Sequence, residues 1–284
     1  MSTHQNDNPS DQSSSKTLES LERYILHIRN IRKPFDGIVR ITGTISPNDV
    51  DLLKQPNVAV RIEVEKNEED QPVYRIYTIR DFDPNTNLVE IDCVYHEGES
   101  PAMKWLEKMK AGSTANMIGL RQHFVPDYEA GGKVLFFADD SAIPALYSIL
   151  KKWPDHAPAL VHVDCANTEA ADELPRVAGV EMHIHVRPQN VHAGTAGSLV
   201  RAALEIDDAT NCQIWAACER EEARAIRKHF MTDCNIAKDR IKAIGYWRKG
   251  VTSSEMETAR MKYYVEHISK GKSKSEFDEF ELPV

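Results

Sequence analysis

The texture of the chain changes once, near Lys133, and that change limits the folds open to it. Before it, runs such as Ile38-Val39-Arg40-Ile41-Thr42-Gly43-Thr44, Val58-Ala59-Val60-Arg61-Ile62-Glu63-Val64 and Val73-Tyr74-Arg75-Ile76-Tyr77-Thr78-Ile79 favour β-branched and aromatic residues. Clusters of Pro, Gly, Asn and Asp separate them, and Leu88-Val89-Glu90-Ile91-Asp92-Cys93-Val94 continues the series. Short strands at this spacing predict a small antiparallel barrel. After Lys133, Val134-Leu135-Phe136-Phe137-Ala138 is almost continuously apolar, as in a strand covered on both faces. Further strands at 160–163, 182–186, 213–217 and 241–247 alternate with helical patterns at 143–150, 195–204 and 223–230. Alternating β and α predicts a mainly parallel sheet flanked by helices.

Other boundaries follow from local chemistry. Ser100 is a suitable N-cap with Pro101 at N1, and Met103, Leu106 and Met109 follow at helical spacing until Gly112. The last barrel strand and a linker are expected within 119–132. Asp140 or Ser141 is expected to cap the first α/β helix. Ser254-Glu255-Met256-Glu257 has a capping-box pattern, which predicts a terminal helix over about 255–268. The expected organisation is a disordered tail at 1–20, a barrel domain at 21–128, an α/β domain at 129–250, and a C-terminal helix with a mobile tail at 251–284.

Composition narrows the function classes. With 284 residues the chain has room for two cores. A net charge of −9 argues against nucleic acid as a partner. No apolar run approaches the ~20 residues of a membrane span, and the first twenty residues lack a secretory apolar stretch, so a cytoplasmic protein with no membrane partner is expected. Five cysteines with no CxxC spacing argue against a disulfide framework and a thiolate metal site. His183 and His185 share one strand face, but no third ligand is evident, so no metal is assigned.

The chemistry sits in short motifs. Arg75-Ile76-Tyr77-Thr78 puts Arg75 and Tyr77 on one strand face and Thr78 on the other. Arginine offers paired donors to a pyrophosphate, and tyrosine offers a flat ring face. Asp92-Cys93-Val94-Tyr95-His96 follows, then Ser100-Pro101-Ala102 and Trp105. Ala138-Asp139-Asp140-Ser141-Ala142-Ile143-Pro144-Ala145, Trp215-Ala216-Ala217-Cys218-Glu219 and Gly245-Tyr246-Trp247-Arg248-Lys249-Gly250 come after, in that order. In these residues, over about 20–250, the chain resembles the siderophore-interacting protein family of flavin-dependent ferric-siderophore reductases, which are related to the ferredoxin-reductase-like flavin reductases.

The resemblance implies FAD as cofactor. Arg75, Tyr77, Thr78, Asp92, Val94, His96, Ser100, Pro101, Ala102 and Trp105 are its expected contacts. The start of the Ser100 helix suits a pyrophosphate, because helix amides and dipole favour an anion there. On the residues alone, His96 reads equally as a hydrogen-bonded structural histidine, and Tyr246 and Trp247 either cover the flavin or fill a core. The resemblance further implies basic side chains that attract an anionic ferric chelate, here Arg61, Arg121 and Arg248 with Lys249 near; solvated surface arginines are the alternative. Asp140, Ser141 and Cys218 are placed at the nicotinamide approach. Departures stand at Ser100, Ala138 and Cys218, where the family often has Gly, and no GxGxxG follows the first α/β strand. The electron donor is therefore left open between NAD(P)H and ferredoxin.

No side chain is expected to act as a catalytic nucleophile or acid, since the redox chemistry belongs to the flavin. The expected activity is FAD-dependent reduction of a ferric siderophore by a monomer, releasing Fe(II) in intracellular iron acquisition. The alternatives are a flavoprotein that binds the ferric chelate without turning it over, and a general NAD(P)H:flavin oxidoreductase.

Overall fold

A computed structural model describes residues 21–46, 50–96, 99–128, 132–188, 191 and 193–271. The tail expected at 1–20 lies outside these residues, as does most of the tail expected after the terminal helix.

Six strands form a closed antiparallel barrel: β1 (Arg23–Arg32), β2 (Ile38–Thr44), β3 (Val58–Lys66), β4 (Pro72–Asp83), β5 (Leu88–Val94) and β6 (Thr114–Gln122). Their order is β1-β2-β5-β4-β3-β6. Closure leaves no open edge. Inward residues alternate with outward ones as the sequence pattern requires: Leu26, Ile41, Ile62, Ile91 and Met117 are fully buried in one core. A short helix, α1 (Val50–Leu53), joins β2 to β3, and α2 (Pro101–Lys108) lies between β5 and β6.

The parallel sheet is built from β7 (Lys133–Asp139), β8 (Ala159–Cys165), β9 (Val180–Val186), β10 (Cys212–Glu219) and β11 (Ile241–Trp247), in the order β11-β10-β7-β8-β9. Helices α3 (Ile143–Leu150) and α4 (Glu169–Asp172) cover one face through Ile143, Leu146, Ile149 and Ala171. Helices α5 (Ser198–Leu204) and α6 (Arg220–Lys228) cover the other through Leu199, Ala203, Ala223 and Ile226. The terminal helix, α7 (Ser253–Ser269), follows β11. No helix among the described residues is long and apolar enough to cross a membrane.

Three boundaries differ from expectation. The last barrel strand is Thr114–Gln122, not a strand within 119–132. Its small and polar residues, and Gly119 at φ +64°, hide a strand that pairs with both β1 and β3. The first α/β helical turn is capped by Asp139 rather than by Asp140 or Ser141, its carboxylate accepting from the Ser141 amide. The capping box of α7 is Thr252 with Glu255: the Glu255 carboxylate accepts from the Thr252 amide (2.8 Å), and the Thr252 hydroxyl accepts from the Glu255 amide (3.2 Å).

Barrel and sheet are joined by a buried charge network. Arg40 on β2 donates twice to Asp92 on β5, through Nε (2.5 Å) and Nη2 (2.7 Å). The same guanidinium reaches Glu173, just beyond α4, at 2.6 and 3.2 Å. Arg80 on β4 donates to Glu173 (2.8 Å) and Glu90 (3.2 Å), and its guanidinium lies 3.5 Å from the centroid of the Tyr147 ring on α3. Trp215, fully buried in β10, donates its indole N–H to the Phe124 carbonyl at 3.0 Å, satisfying the one polar atom of that ring.

Candidate functional site

The join between the two layers leaves a cavity of about 970 Å³, large enough for a sizeable organic ligand. One wall is β4, which contributes residues of both its faces. Its pairing with β3 (Ile62 with Arg75, Val60 with Tyr77, Ala59 with Thr78) sets Arg75, Tyr77 and Thr78 along the cavity. Arg75 is held in place before any ligand arrives: Nη1 donates to the Tyr74 carbonyl and Nη2 to the Ser254 hydroxyl at the start of α7, both at 2.8 Å. Tyr77 packs against the barrel core and donates its hydroxyl to the Cys93 thiol, so burial, then Cys93, push its phenol well above the usual value.

The start of α2 forms a second wall. Ser100 is the N-cap, its hydroxyl accepting from the Met103 amide (3.3 Å), and Pro101 occupies the first turn, where no amide is needed. Ser100, Pro101, Ala102 and Met103 line the cavity, as do Val94 and His96 at the end of β5. The strand carrying Arg75 and the helix start at Pro101 therefore face one space. Asp92 borders it too, but its two oxygens are occupied by Arg40, so it shapes the wall rather than offering a free acceptor. Trp105 lies on the inner side of α2, buried in the barrel core, and is absent from the lining.

The third wall is the carboxyl end of the parallel sheet, where open α/β sheets bind ligands. Asp139, Asp140, Ser141 and Pro144 reach the cavity from β7 and the turn after it, and Tyr246, Trp247 and Arg248 reach it from β11. Gly245 stands where a Cβ would meet the Arg220 Cβ at 2.8 Å, so the motif's glycine lets β11 pass close to α6. Cys218 points the other way. It is fully buried among residues of the α5–α6 face, and burial, then Asp139 and Glu222, push its thiol well above the usual range. That thiol stands off the cavity, neither crowding it nor offering a nucleophile there. Lys249 is also off the lining, its amide donating to Glu219 at 3.1 Å.

Asp139 is a site residue that sequence reading passed over. Only 1% exposed, it accepts from the Ser141 amide (2.9 Å), the Ser141 hydroxyl (2.5 Å) and the Trp247 indole N–H (2.7 Å). It thus fixes both the turn and an aromatic wall. Burial pushes its carboxyl up to about 6, against the opposing pull of these donors. A carboxyl raised in the folded state contributes stability that is complete below its unfolded value and is lost as pH rises through about 6. In melts between about pH 4.5 and 7.5, Asp139→Asn should therefore gain on the wild type as pH rises, by roughly 1–3 kcal/mol. Parallel stability curves would place the titration elsewhere.

A basic side of the cavity is formed partly by expected residues and partly by unexpected ones. Arg61 on β3 and Arg121 on β6 are off the lining; they stand behind His123, which lines the cavity, and Arg121 donates through Nε to His123 Nε2 at 3.2 Å. Arg260 on α7 also lines the cavity and, like Arg61, pairs with Glu257 at 3.5 Å. Arg248 lines the cavity as well, pairing with Glu221 at 3.7 Å. His123 and Arg260 carry no motif; only the fold brings them to Arg61.

The arrangement fits FAD. A cation preset on a strand and a helix start face one cavity, which suits a pyrophosphate, and aromatic and apolar residues continue along the same space for a ring system. Among the described residues, no cluster of His, Cys, Asp and Glu could hold a metal ion.

Comparison with known proteins agrees. Residues 36–123 match the model of the siderophore-interacting FAD-binding domain, and residues 132–250 match that of the siderophore-interacting protein family. Ferric acinetobactin reductase of Acinetobacter baumannii is 40% identical over 265 residues, covering 93% of this chain and 92% of that protein. Ferric vibriobactin reductase of Vibrio cholerae is 29% identical over 184 residues, 64% of this chain and 67% of that one. The solved siderophore-interacting protein from Acinetobacter baumannii superposes with a TM-score of 0.83 at 40% identity, covering 88% of this chain and 99% of that one. The ferredoxin reductase of carbazole 1,9a-dioxygenase shares the fold at a TM-score of 0.60 and 14% identity, over 80% of this chain and 70% of that one.

Proposed function

The chain belongs to the siderophore-interacting protein family, and on that premise we propose that it is an FAD-dependent ferric-siderophore reductase. The observation that carries this reading is the single cavity shared by Arg75, Tyr77, Thr78, the Ser100-Pro101-Ala102 turn and the end of β11. Bound FAD would supply the redox chemistry, since a flavin accepts electrons one or two at a time and can pass them on singly. The chain's own residues do the rest. Arg75 and the start of α2 hold the phosphates, while Tyr77, Val94, His96 and Trp247 wall the ring. The basic side chains of the cavity attract an anionic ferric chelate and orient it. Oxygen-rich chelators hold Fe(II) far more weakly than Fe(III), so reduction releases the metal.

The test is anaerobic. FAD-loaded protein, a reductant and a ferric catecholate are mixed with a colorimetric Fe(II) trap, and colour should develop only when protein is present. No protein-dependent Fe(II) would end the reductase reading and leave a chelate-binding flavoprotein.

The donor reading follows from the sheet's carboxyl end. Asp139, Asp140, Asp164 and Glu219 stand at the ends of β7, β8 and β10, where a nicotinamide nucleotide's phosphates would arrive. Arg187 is already paired with Asp140 and Asp164. This end is built for cations rather than phosphates, so NAD(P)H is a weak donor and a carrier protein such as ferredoxin, which needs only access to the flavin, is the better one. Flavin bleaching by NADH or NADPH should be roughly tenfold or more slower than by reduced ferredoxin at equal concentration. Equal rates would return the nicotinamide nucleotide to the site. Four buried free thiols support a cytoplasmic setting.

A further inference from the structure

The parallel sheet ends on two strands, β11 and β9, and their open sides are built differently. β11 carries Lys242, whose ammonium lies 5.9 Å from the centroid of the Phe124 ring, and lysine is a common guard of a sheet edge. β9, Val180-Glu181-Met182-His183-Ile184-His185-Val186, has no lysine, proline or bulge. Among the described residues it pairs with β8 alone. Val180, Met182 and Ile184 pack toward the core under α3 and α4, while Glu181 and His183 are exposed and His185 is half-buried on the opposite face. Val186 is 53% exposed. A strand of β-branched and apolar residues is thus left with one side unpaired.

The direction of its free backbone groups follows from the pairing with β8. The Ala159 amide donates to the Gly179 carbonyl (3.1 Å), and the Arg187 amide donates to the Cys165 carbonyl (2.9 Å). Odd-numbered residues therefore turn their amides and carbonyls to β8, and Val180, Met182, Ile184 and Val186 turn theirs to the open side. The strand is also self-complementary about its central residue. Laid antiparallel on a second copy with His183 at the two-fold axis, Val180 meets Val186, Glu181 meets His185, Met182 meets Ile184, and His183 meets its own counterpart. Every outward residue then faces an outward residue, and each such pair can exchange both of its amide–carbonyl bonds. The odd residues fall at the closely spaced, non-hydrogen-bonded positions, where side chains interact most directly. There the strand's one carboxylate, Glu181, lies opposite an imidazole. Centring on His183 is the only choice that keeps all seven residues of both strands paired.

We propose that the open edge of β9 is an interaction surface for a second copy of this chain, which pairs with it antiparallel across a two-fold axis at His183 and joins the two five-stranded sheets into one. This departs from the monomer expected from the sequence, and it stands independently of the chemistry assigned to the cavity. Backbone bonds supply the attraction, and the Glu181–His185 and Val180–Val186 matches fix the register. The contact is a single strand pair, smaller than the ~1,600 Å² of a standard interface, so the dimer is reversible, with a dissociation constant of about 10–100 μM.

The test uses the full chain loaded with FAD. Sedimentation velocity from about 1 to 200 μM should show a monomer passing reversibly into a dimer. His183→Lys, a change at an exposed position, puts two ammonium groups at the axis and should weaken dimerisation roughly tenfold or more while the melting curve stays with the wild type. His183→Cys brings two thiols to a closely spaced pair, with Cα atoms about 4.5 Å apart, and oxidised glutathione should close an intermolecular disulfide there. Glu181→Cys sets its two thiols roughly 13 Å apart in the same arrangement and should not cross-link. A wild type that stays monomeric throughout this range overturns the proposal. So does a dimer that His183→Lys leaves intact, or one that Glu181→Cys cross-links as readily as His183→Cys, because either outcome places the contact on another surface. Should His183→Lys not fold, the two cysteine variants decide the matter. Fe(II) release is not among these readouts, so failure here leaves the reductase reading standing.

Discussion

Arg40→Ala is expected to lower the stability of the protein by about 3–5 kcal/mol, the largest loss anticipated for any single side-chain truncation outside the apolar cores. Arg40 is 2% exposed, yet it satisfies four carboxylate oxygens, two on Asp92 and two on Glu173. Removing it leaves Asp92, 7% exposed, with Arg80 as its remaining counter-charge at 3.2 Å. An uncompensated buried carboxylate is costly whatever the net worth of the intact pair. Because Glu173 belongs to the α/β layer and the other members to the barrel, the loss also loosens the join that shapes the cavity. Scanning calorimetry should record a fall in Tm of about 10 °C. Glu173→Gln, at a half-buried position, should cost less than half as much. An Arg40→Ala variant that melts with the wild type would show that Arg80 alone can neutralise the network.

None of this network was legible in the sequence. Arg40 and Asp92 are 52 residues apart, and Arg40 and Glu173 are 133 apart. In one dimension each looks like an ordinary charge on an alternating strand or beside a short helix. What was legible is local and periodic. Short runs of β-branched and aromatic residues between turn formers mark β2 to β5. Continuous apolar runs mark β7 and β10, which are covered on both sides. The same double burial removes any signal of which way a side chain points, which is why Cys218 reads as a cavity residue in sequence and packs under α5 and α6 in the fold. Trp105 was misassigned for a related reason: its motif names the turn, but helical spacing puts that side chain one turn inside.

The site was readable where one short segment carries both the chemistry and its placement. Arg75 to Thr78 do so because a strand fixes their faces, and Ser100 and Pro101 do so because capping fixes a helix start. Residues that reach the cavity from a helix joined late in the chain leave no such trace. Arg260 is one charged residue on a polar helix, and only the return of α7 to the barrel brings it to the cavity.

The second large effect concerns Arg75, and it follows from how the side chain is held. Burial lowers its basicity somewhat, but a guanidinium remains charged, so a cation sits half-buried at the cavity wall with two of its donors already directed by Tyr74 and Ser254. A preset cation loses little rotamer freedom when an anion arrives, so most of its charge-assisted hydrogen bonding appears as affinity. Arg75→Ala should therefore weaken FAD binding roughly 10–100-fold, and Arg75→Lys should recover only part, because a point charge cannot reproduce the paired geometry. Ser254→Ala removes one restraint and leaves the charge, so its loss should be roughly threefold or less. Titration of apoprotein with FAD, followed by flavin fluorescence, orders the three variants. Their ranking separates charge from positioning: if Ser254→Ala matches Arg75→Ala, it is the docking of α7 that holds the cofactor, and the arginine acts through that helix rather than on the pyrophosphate.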